Sequence, residues 1–213
     1  MRRLPVYLLL DISGSMRGEK IEAVNEGIKI LVETLRCDPY ALETVYLSII
    51  PFNDQVNQTM PLEELYKFQI PTLTAHHGTF VGKALKYLSA KAEEEVVKTT
   101  PDQKGDWKPL AFIMSDGRSA DKISYAMDQF NKKQFGCIVV CAAGKDANVN
   151  ALRLISENLI RLESLDRESI TSYFKWISAS VAHSSVKINE NNTEVSSLNE
   201  LPVLPKNITI DYK

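Results

Sequence analysis

The sequence predicts a doubly wound α/β domain: a mostly parallel central sheet with helices on both faces. Three observations predict it. Apolar runs without polar alternation recur at Val6–Leu10, Pro109–Met114 and Gly136–Gly144, as strands covered on both faces require. Segments with apolar residues at helical spacing separate these runs. Strand and helix patterns alternate along the chain, which places helices in the crossovers between parallel strands.

The first strand ends in Asp11, and Ser13, Gly14 and Ser15 follow it. From Lys20 to Leu35, the residues Ile21, Val24, Ile28, Leu31, Val32 and Leu35 mark one buried helical face. Asp38-Pro39 is expected to end that helix, because proline cannot continue it. Thr44 to Phe52 is β-branched and aromatic with Pro51 near its end, as in a strand approaching a sheet edge. Asn53-Asp54 signals a turn, and Gln55 to Met60 is expected to return as a short antiparallel partner. A helix fits Val81 to Val97, with Ala84, Leu85, Leu88, Ala92 and Val96 on one side. The polar loop from Thr99 to Lys108 leads into the second covered strand, which is followed by Ser115-Asp116-Gly117. A helix then fits Asp121 to Lys132. After the third covered strand come a short helix over Val149 to Glu157 and a small strand over Leu159 to Leu162. Asp166 caps a last helix reaching about Ala182, with Ile170, Tyr173, Phe174, Ile177 and Val181 inward. Residues 1–182 thus make up the expected domain. From His183 the composition shifts to Ser, Asn, Glu and Pro, so 183–213 reads as an extension, either an extended arm or a disordered end. Its stretch Ile208–Tyr212 is apolar enough to add to a sheet edge.

Composition excludes several function classes. The 213 residues are 44% hydrophobic and 24% charged, with a net charge of −2, so there is no bulk attraction to nucleic acid or anionic lipid. Arg2 and Arg3 before an apolar run imitate a secretion signal, but the run breaks at Asp11-Ile12-Ser13-Gly14 without a small-residue cleavage pattern. No segment is long and apolar enough to span a membrane. The three cysteines, Cys37, Cys137 and Cys141, form no CxxC, and the last two flank Ile138-Val139-Val140 as core thiols would. A cytoplasmic location is the expectation.

Open α/β sheets bind ligands beyond the carboxyl ends of their strands. Asp11, Ser13 and Ser15 stand there, and a carboxylate with two hydroxyls suits Mg²⁺ or Mn²⁺ better than zinc or copper. Two other loops fall at the same end. One carries Thr79 after His76-His77-Gly78, and the other carries Asp116 directly after a covered strand. Gly14, Gly78 and Gly117 are expected to let the backbone turn tightly enough to aim the ligands. With Met16, Arg17, His77, Phe80 and Arg118 these three glycines make up a candidate partner-binding rim, in which Arg17 and Arg118 are suited to steering an acidic partner.

This set, DxSxS with a distant threonine and a distant aspartate, resembles the metal-ion-dependent adhesion site of the von Willebrand factor A domain. All five positions are filled, by Asp11, Ser13, Ser15, Thr79 and Asp116. Outside the motif, MRRLPVYLLLD, DPYALETVYLS and KGDWKPLAF are similar to the bacterial TerY-like branch linked to tellurite resistance. The resemblance covers roughly residues 4 to 182. It implies a Rossmann-like six-stranded sheet with one antiparallel edge strand. It implies Mg²⁺, with Mn²⁺ or Ca²⁺ as substitutes, bound directly by the serines and largely through water by the aspartates. It also implies a protein partner whose acidic side chain completes the octahedron, in a stress-response scaffold near a kinase and a phosphatase. No nucleic acid and no membrane are expected. Two other readings stay open. A strand ending in aspartate also introduces Mg²⁺-dependent phosphatases, but their second acid is replaced here by Ser13, and neither G-x-x-x-x-G-K-[ST] nor G-x-S-x-G occurs. Alternatively, the metal only stiffens the loops.

Overall fold

The computed structural model describes residues 2–211. Seven strands form one sheet: β1 (Leu4–Asp11), β2 (Val45–Phe52), β3 (Met60–Glu64), β4 (Leu110–Ser115), β5 (Cys137–Ala143), β6 (Leu159–Leu162) and β7 (Thr209–Ile210). Their order is β3-β2-β1-β4-β5-β6-β7; the inner five run parallel, and β3 and β7 are antiparallel to their neighbours. The expected six strands with one antiparallel edge therefore become seven with two. Chain order reverses direction across the sheet between β1 and β4, so the crevice for a ligand opens at the carboxyl ends of those two strands.

Among the described residues six α-helices flank the sheet: α1 (Glu19–Arg36), α2 (Pro39–Thr44), α3 (Val81–Glu95), α4 (Ile123–Met127), α5 (Val149–Arg153) and α6 (Arg167–Asn191). Every residue of β1 is buried, and strand alternation divides its side chains between two cores. Leu4, Val6, Leu8 and Leu10 pack with α1 and α6 residues such as Ile28, Leu31, Tyr173 and Phe174, while Tyr7 and Leu9 pack with Val81, Leu85 and Leu88 of α3. The contact of α1 with α6 is close enough that a Cβ on Gly27 would stand 2.2 Å from the Phe174 ring.

Several elements depart from the sequence expectation for identifiable reasons. Asp38 both follows α1 and caps α2, accepting from Ala41 N at 2.8 Å, and Pro39 opens α2 because the first helical position has no N–H bond to lose. The antiparallel partner of β2 is Met60–Glu64, not Gln55–Met60; Val56 makes only an isolated bridge to Phe52, while Ser48 Oγ donates to Met60 O at 2.9 Å. α4 is shorter than Asp121–Lys132, and Asp121, expected as its first residue, gives its carboxylate to α3 instead. α3 ends at Glu95 and α5 at Arg153, each ahead of the expected end.

α6 continues past Ala182 to Asn191, where Asn192 closes it in the left-handed conformation. The serines that read as tail are buried there with partners: Ser184 Oγ donates to Ser180 O at 2.7 Å, and Ser185 Oγ meets Thr44 Oγ1 at 2.9 Å. Beyond α6 the chain lies along the domain as an arm, burying Val195, Leu198, Leu201 and Ile208 in the core shared with α1 and α6. Trp176 Nε1 donates to Pro202 O at 2.9 Å, and β7 closes the β6 edge. Tyr212, the end of the expected last strand, lies outside the described residues.

The three segments outside the metal motif meet at the amino end of the sheet. Arg2 lies over the Trp107 ring at 3.6 Å, and Arg3 lies over the Tyr46 ring at 4.9 Å and pairs with Asp106 at 2.5 Å.

Candidate metal centre

Asp11 ends β1 with only 3% of its surface exposed. Its Oδ1 accepts from Ser13 N at 2.9 Å and its Oδ2 from Ser115 Oγ at 2.7 Å. Burial pushes the Asp11 carboxyl above its ordinary value; the bonds from Ser13 and Ser115 oppose this, and the Asp116 carboxylate adds to it. A buried carboxylate beside a second one is a place where a cation lowers the electrostatic cost.

A 3₁₀ turn, Gly14–Met16, carries the first loop away from β1. It brings Ser13 Oγ to 3.0 Å from Ser15 Oγ, and Ser15 Oγ to 3.4 Å from Asp116 Oδ2. Asp116 Oδ1 accepts from Arg118 N at 2.9 Å, and Gly117 N donates to Ser115 Oγ at 3.1 Å. These bonds link Ser115, Asp11, Ser13, Ser15 and Asp116 in turn, a polar ring around the ends of β1 and β4 that the Ser115–Asp116 peptide closes. Gly117 is at φ +67°, and a Cβ there would lie 2.8 Å from the Leu152 side chain, so only glycine turns this loop without strain.

The second loop is tied in through its backbone. Gly14 N donates to His77 O at 2.8 Å, His76 N to Ile12 O at 2.9 Å, and Ala120 N to Thr79 O at 2.8 Å. Thr79 is buried, while His76 and His77 are exposed, and His77 sits at φ 57°. Of the expected rim, Arg17, His77, Gly78 and Arg118 are exposed, and Gly14 and Phe80 are half-buried. Met16 and Gly117 are buried: Met16 is 3% exposed beneath the loop, where it also lines the crevice beside the ring, and Gly117 packs against Leu152. A crevice of about 340 Å³ opens beside the ring, lined in part by Ser15, Lys20, Asp116, Arg118 and Lys145.

Among the described residues no three His, Cys, Asp or Glu gather as a metal site. What the ring offers is the Asp11 and Asp116 carboxylates with the Ser13 and Ser15 hydroxyls, all hard oxygens of the kind a small divalent ion takes, while Thr79 is tied to the neighbouring loop through its backbone carbonyl. Sequence reasoning missed Ser115, whose hydroxyl orients Asp11, and Ser119 and Asp121, which bond the N–H groups of α3. The signal for Ser115 was a polar residue closing an otherwise apolar strand.

Residues 6–169 match the von Willebrand factor type A domain. The chain belongs to this family. No curated protein matches it in sequence. Solved structures share the fold at low identity. A von Willebrand factor type A protein from Catenulispora acidiphila is 16% identical with a TM-score of 0.63, over 85% of this chain and 43% of that one. Proximal thread matrix protein 1 from the mussel byssus, with a zinc-occupied MIDAS motif, is 14% identical with a TM-score of 0.58, over 85% of this chain and 48% of that one. The pilus adhesin SpaC from Lactobacillus rhamnosus GG, in its open conformation, is 12% identical with a TM-score of 0.65, over 86% of this chain and 30% of that one. The match thus spans less than half the length of these proteins. Von Willebrand factor type A domains are typically interaction and adhesion modules. No helix among the described residues is long and apolar enough to cross a membrane.

Proposed function

We propose that this von Willebrand factor type A domain docks a protein partner through a divalent cation held by Asp11, Ser13, Ser15, Thr79 and Asp116. The observation that carries the reading is the polar ring itself: the Ser13 and Ser15 hydroxyls are 3.0 Å apart on the Asp11 loop, and Ser15 Oγ reaches across to 3.4 Å from Asp116 Oδ2. Neutral hydroxyls leave a bound cation short of negative charge, so an incoming carboxylate gains by replacing water. Mg²⁺ is the ion the oxygen set favours, with Mn²⁺ and Ca²⁺ as substitutes; zinc, seen in the mussel protein, is a further occupant to test. Exposed Arg17 and Arg118 beside the ring favour an acidic partner.

The position two residues after Asp11, where a Mg²⁺-dependent aspartyl phosphatase needs its second acid, is Ser13, which favours binding over that hydrolase chemistry. The likeness of MRRLPVYLLLD, DPYALETVYLS and KGDWKPLAF to the TerY-like branch supports a role in a bacterial tellurite-resistance or stress-response system. A kinase, a phosphatase or another tellurite-resistance protein in the cytoplasm is then the partner to look for.

Affinity capture from a native lysate, with Mg²⁺, with EDTA, and with Asp11→Ala whose fold is checked by circular dichroism, tests this. A partner retained only by the wild type in Mg²⁺ is the expected result. Equal retention in all three arms overturns it and leaves the cation a structural role.

A further inference from the structure

The first turn of α3 is capped from another loop. Phe80, at its cap position, makes no side-chain cap bond. Instead Val81 N donates to Ser119 Oγ at 2.8 Å, Gly82 N to Asp121 Oδ1 at 3.0 Å, and Lys83 N to Asp121 Oδ2 at 2.8 Å. The Ser119 hydroxyl in turn donates to Asp121 Oδ1, and Ala120 N donates to Thr79 O. Residues 119–121 therefore grip the backbone at Thr79 and at the three residues that open α3. Gly82 is shaped for this contact, since a Cβ there would stand 2.8 Å from Asp121 Oδ2.

We infer that Asp121 is a positioning residue of the cation site: it fixes Thr79 against the Asp116 loop and so sets cation affinity without touching the ion. The inference rests on the cation reading above. Two effects act in the same direction. Asp121 ties its loop to the start of α3 at Gly82 and Lys83, and its neighbour Ala120 bonds Thr79 O, so the loop that follows Asp116 and the backbone at Thr79 are held in one frame. The carboxylate also sits on the positive end of the α3 dipole, which would otherwise oppose a cation beside Thr79.

Calorimetric titration with Mn²⁺ and Mg²⁺, alongside metal-free thermal unfolding, separates this from simple helix capping. Asp121→Ala is expected to bind Mn²⁺ about 10 to 100 times more weakly, the usual effect of losing a group that orients a ligand. Asp121→Asn, which keeps one acceptor and loses the charge, should fall between. Gly82→Ala should also weaken binding, although alanine favours a helix, because its methyl group displaces the carboxylate. Asp38→Ala removes a cap of the same chemistry at α2 and serves as the control: its Tm falls and its Kd stays at the wild-type value. Asp121→Ala behaving like Asp38→Ala would overturn the inference while leaving the cation site intact. A wild-type protein whose titration is no different from that of Asp11→Ala removes the cation reading and this inference together.

Discussion

One hydroxyl decides how Asp11 is presented. Ser115 is fully buried, and its Oγ bridges Asp11 Oδ2 and Gly117 N. Removing it leaves a buried carboxylate oxygen unpartnered, which costs about 1–3 kcal/mol. Ser115→Ala should lose about that much stability in metal-free urea unfolding; an unchanged midpoint would mean that water replaces the hydroxyl at no cost. The thiols divide just as sharply. Burial pushes the Cys137 thiol up to about 12 and raises Cys141 too, whereas Cys37 is exposed. Iodoacetamide at pH 8 should therefore modify Cys37 alone in the folded protein and all three cysteines in urea, read by mass spectrometry. At this scale the sequence was legible for residues whose chemistry is local: Asp11, Ser13 and Ser15 sit within five positions at a strand end. Ser115 and Asp121 were not, because the groups they hold are 104 and 38 to 39 positions away.

Among the elements, the covered strands were the easiest to anticipate, since an uninterrupted apolar run such as LAFIM has few other places to go. The edge strands and the end of α6 were hard, because tertiary partners set their limits. β7 is two residues long and exists by pairing with β6. The far end of α6 passes for a polar tail until its serines bond back to carbonyls four residues earlier, as Ser184 does to Ser180. The α1–α6 contact gives a prediction of sign. Gly27→Ala raises helix propensity by about 1 kcal/mol, but its methyl group meets Phe174 at 2.2 Å. Overpacking costs about 1–3 kcal/mol, and at this distance it should win, giving a net loss in urea unfolding; a net gain would show that α6 shifts freely.

At the scale of the whole molecule the arm after Asn192 completes the sheet and covers the core. Glu200 anchors it. Bonds from Lys187 and Ser196 hold its carboxyl at about 2, against an ordinary 4.5. A depressed carboxyl contributes stability above its unfolded value and loses it as pH falls through the folded one, so the arm should loosen between about 4.5 and about 2. The indole N–H resonance of Trp176, bonded to Pro202 O, reports this, and an unchanged signal down to pH 2 would remove Glu200 as the anchor. Deleting residues 193–213 should uncover Trp176 and the β6 edge, raising dye binding and aggregation. The clamp of Arg2 on Trp107 and of Arg3 on Asp106 has a practical consequence as well. β1 has eight residues and runs from that clamp to Asp11, roughly 26 Å away at the rise of an extended strand. A tether attached ahead of Arg2 therefore leaves from the pole opposite the three loops, and a molecule fixed to a sensor surface in this way faces Asp11, Ser15 and Asp116 toward the solution.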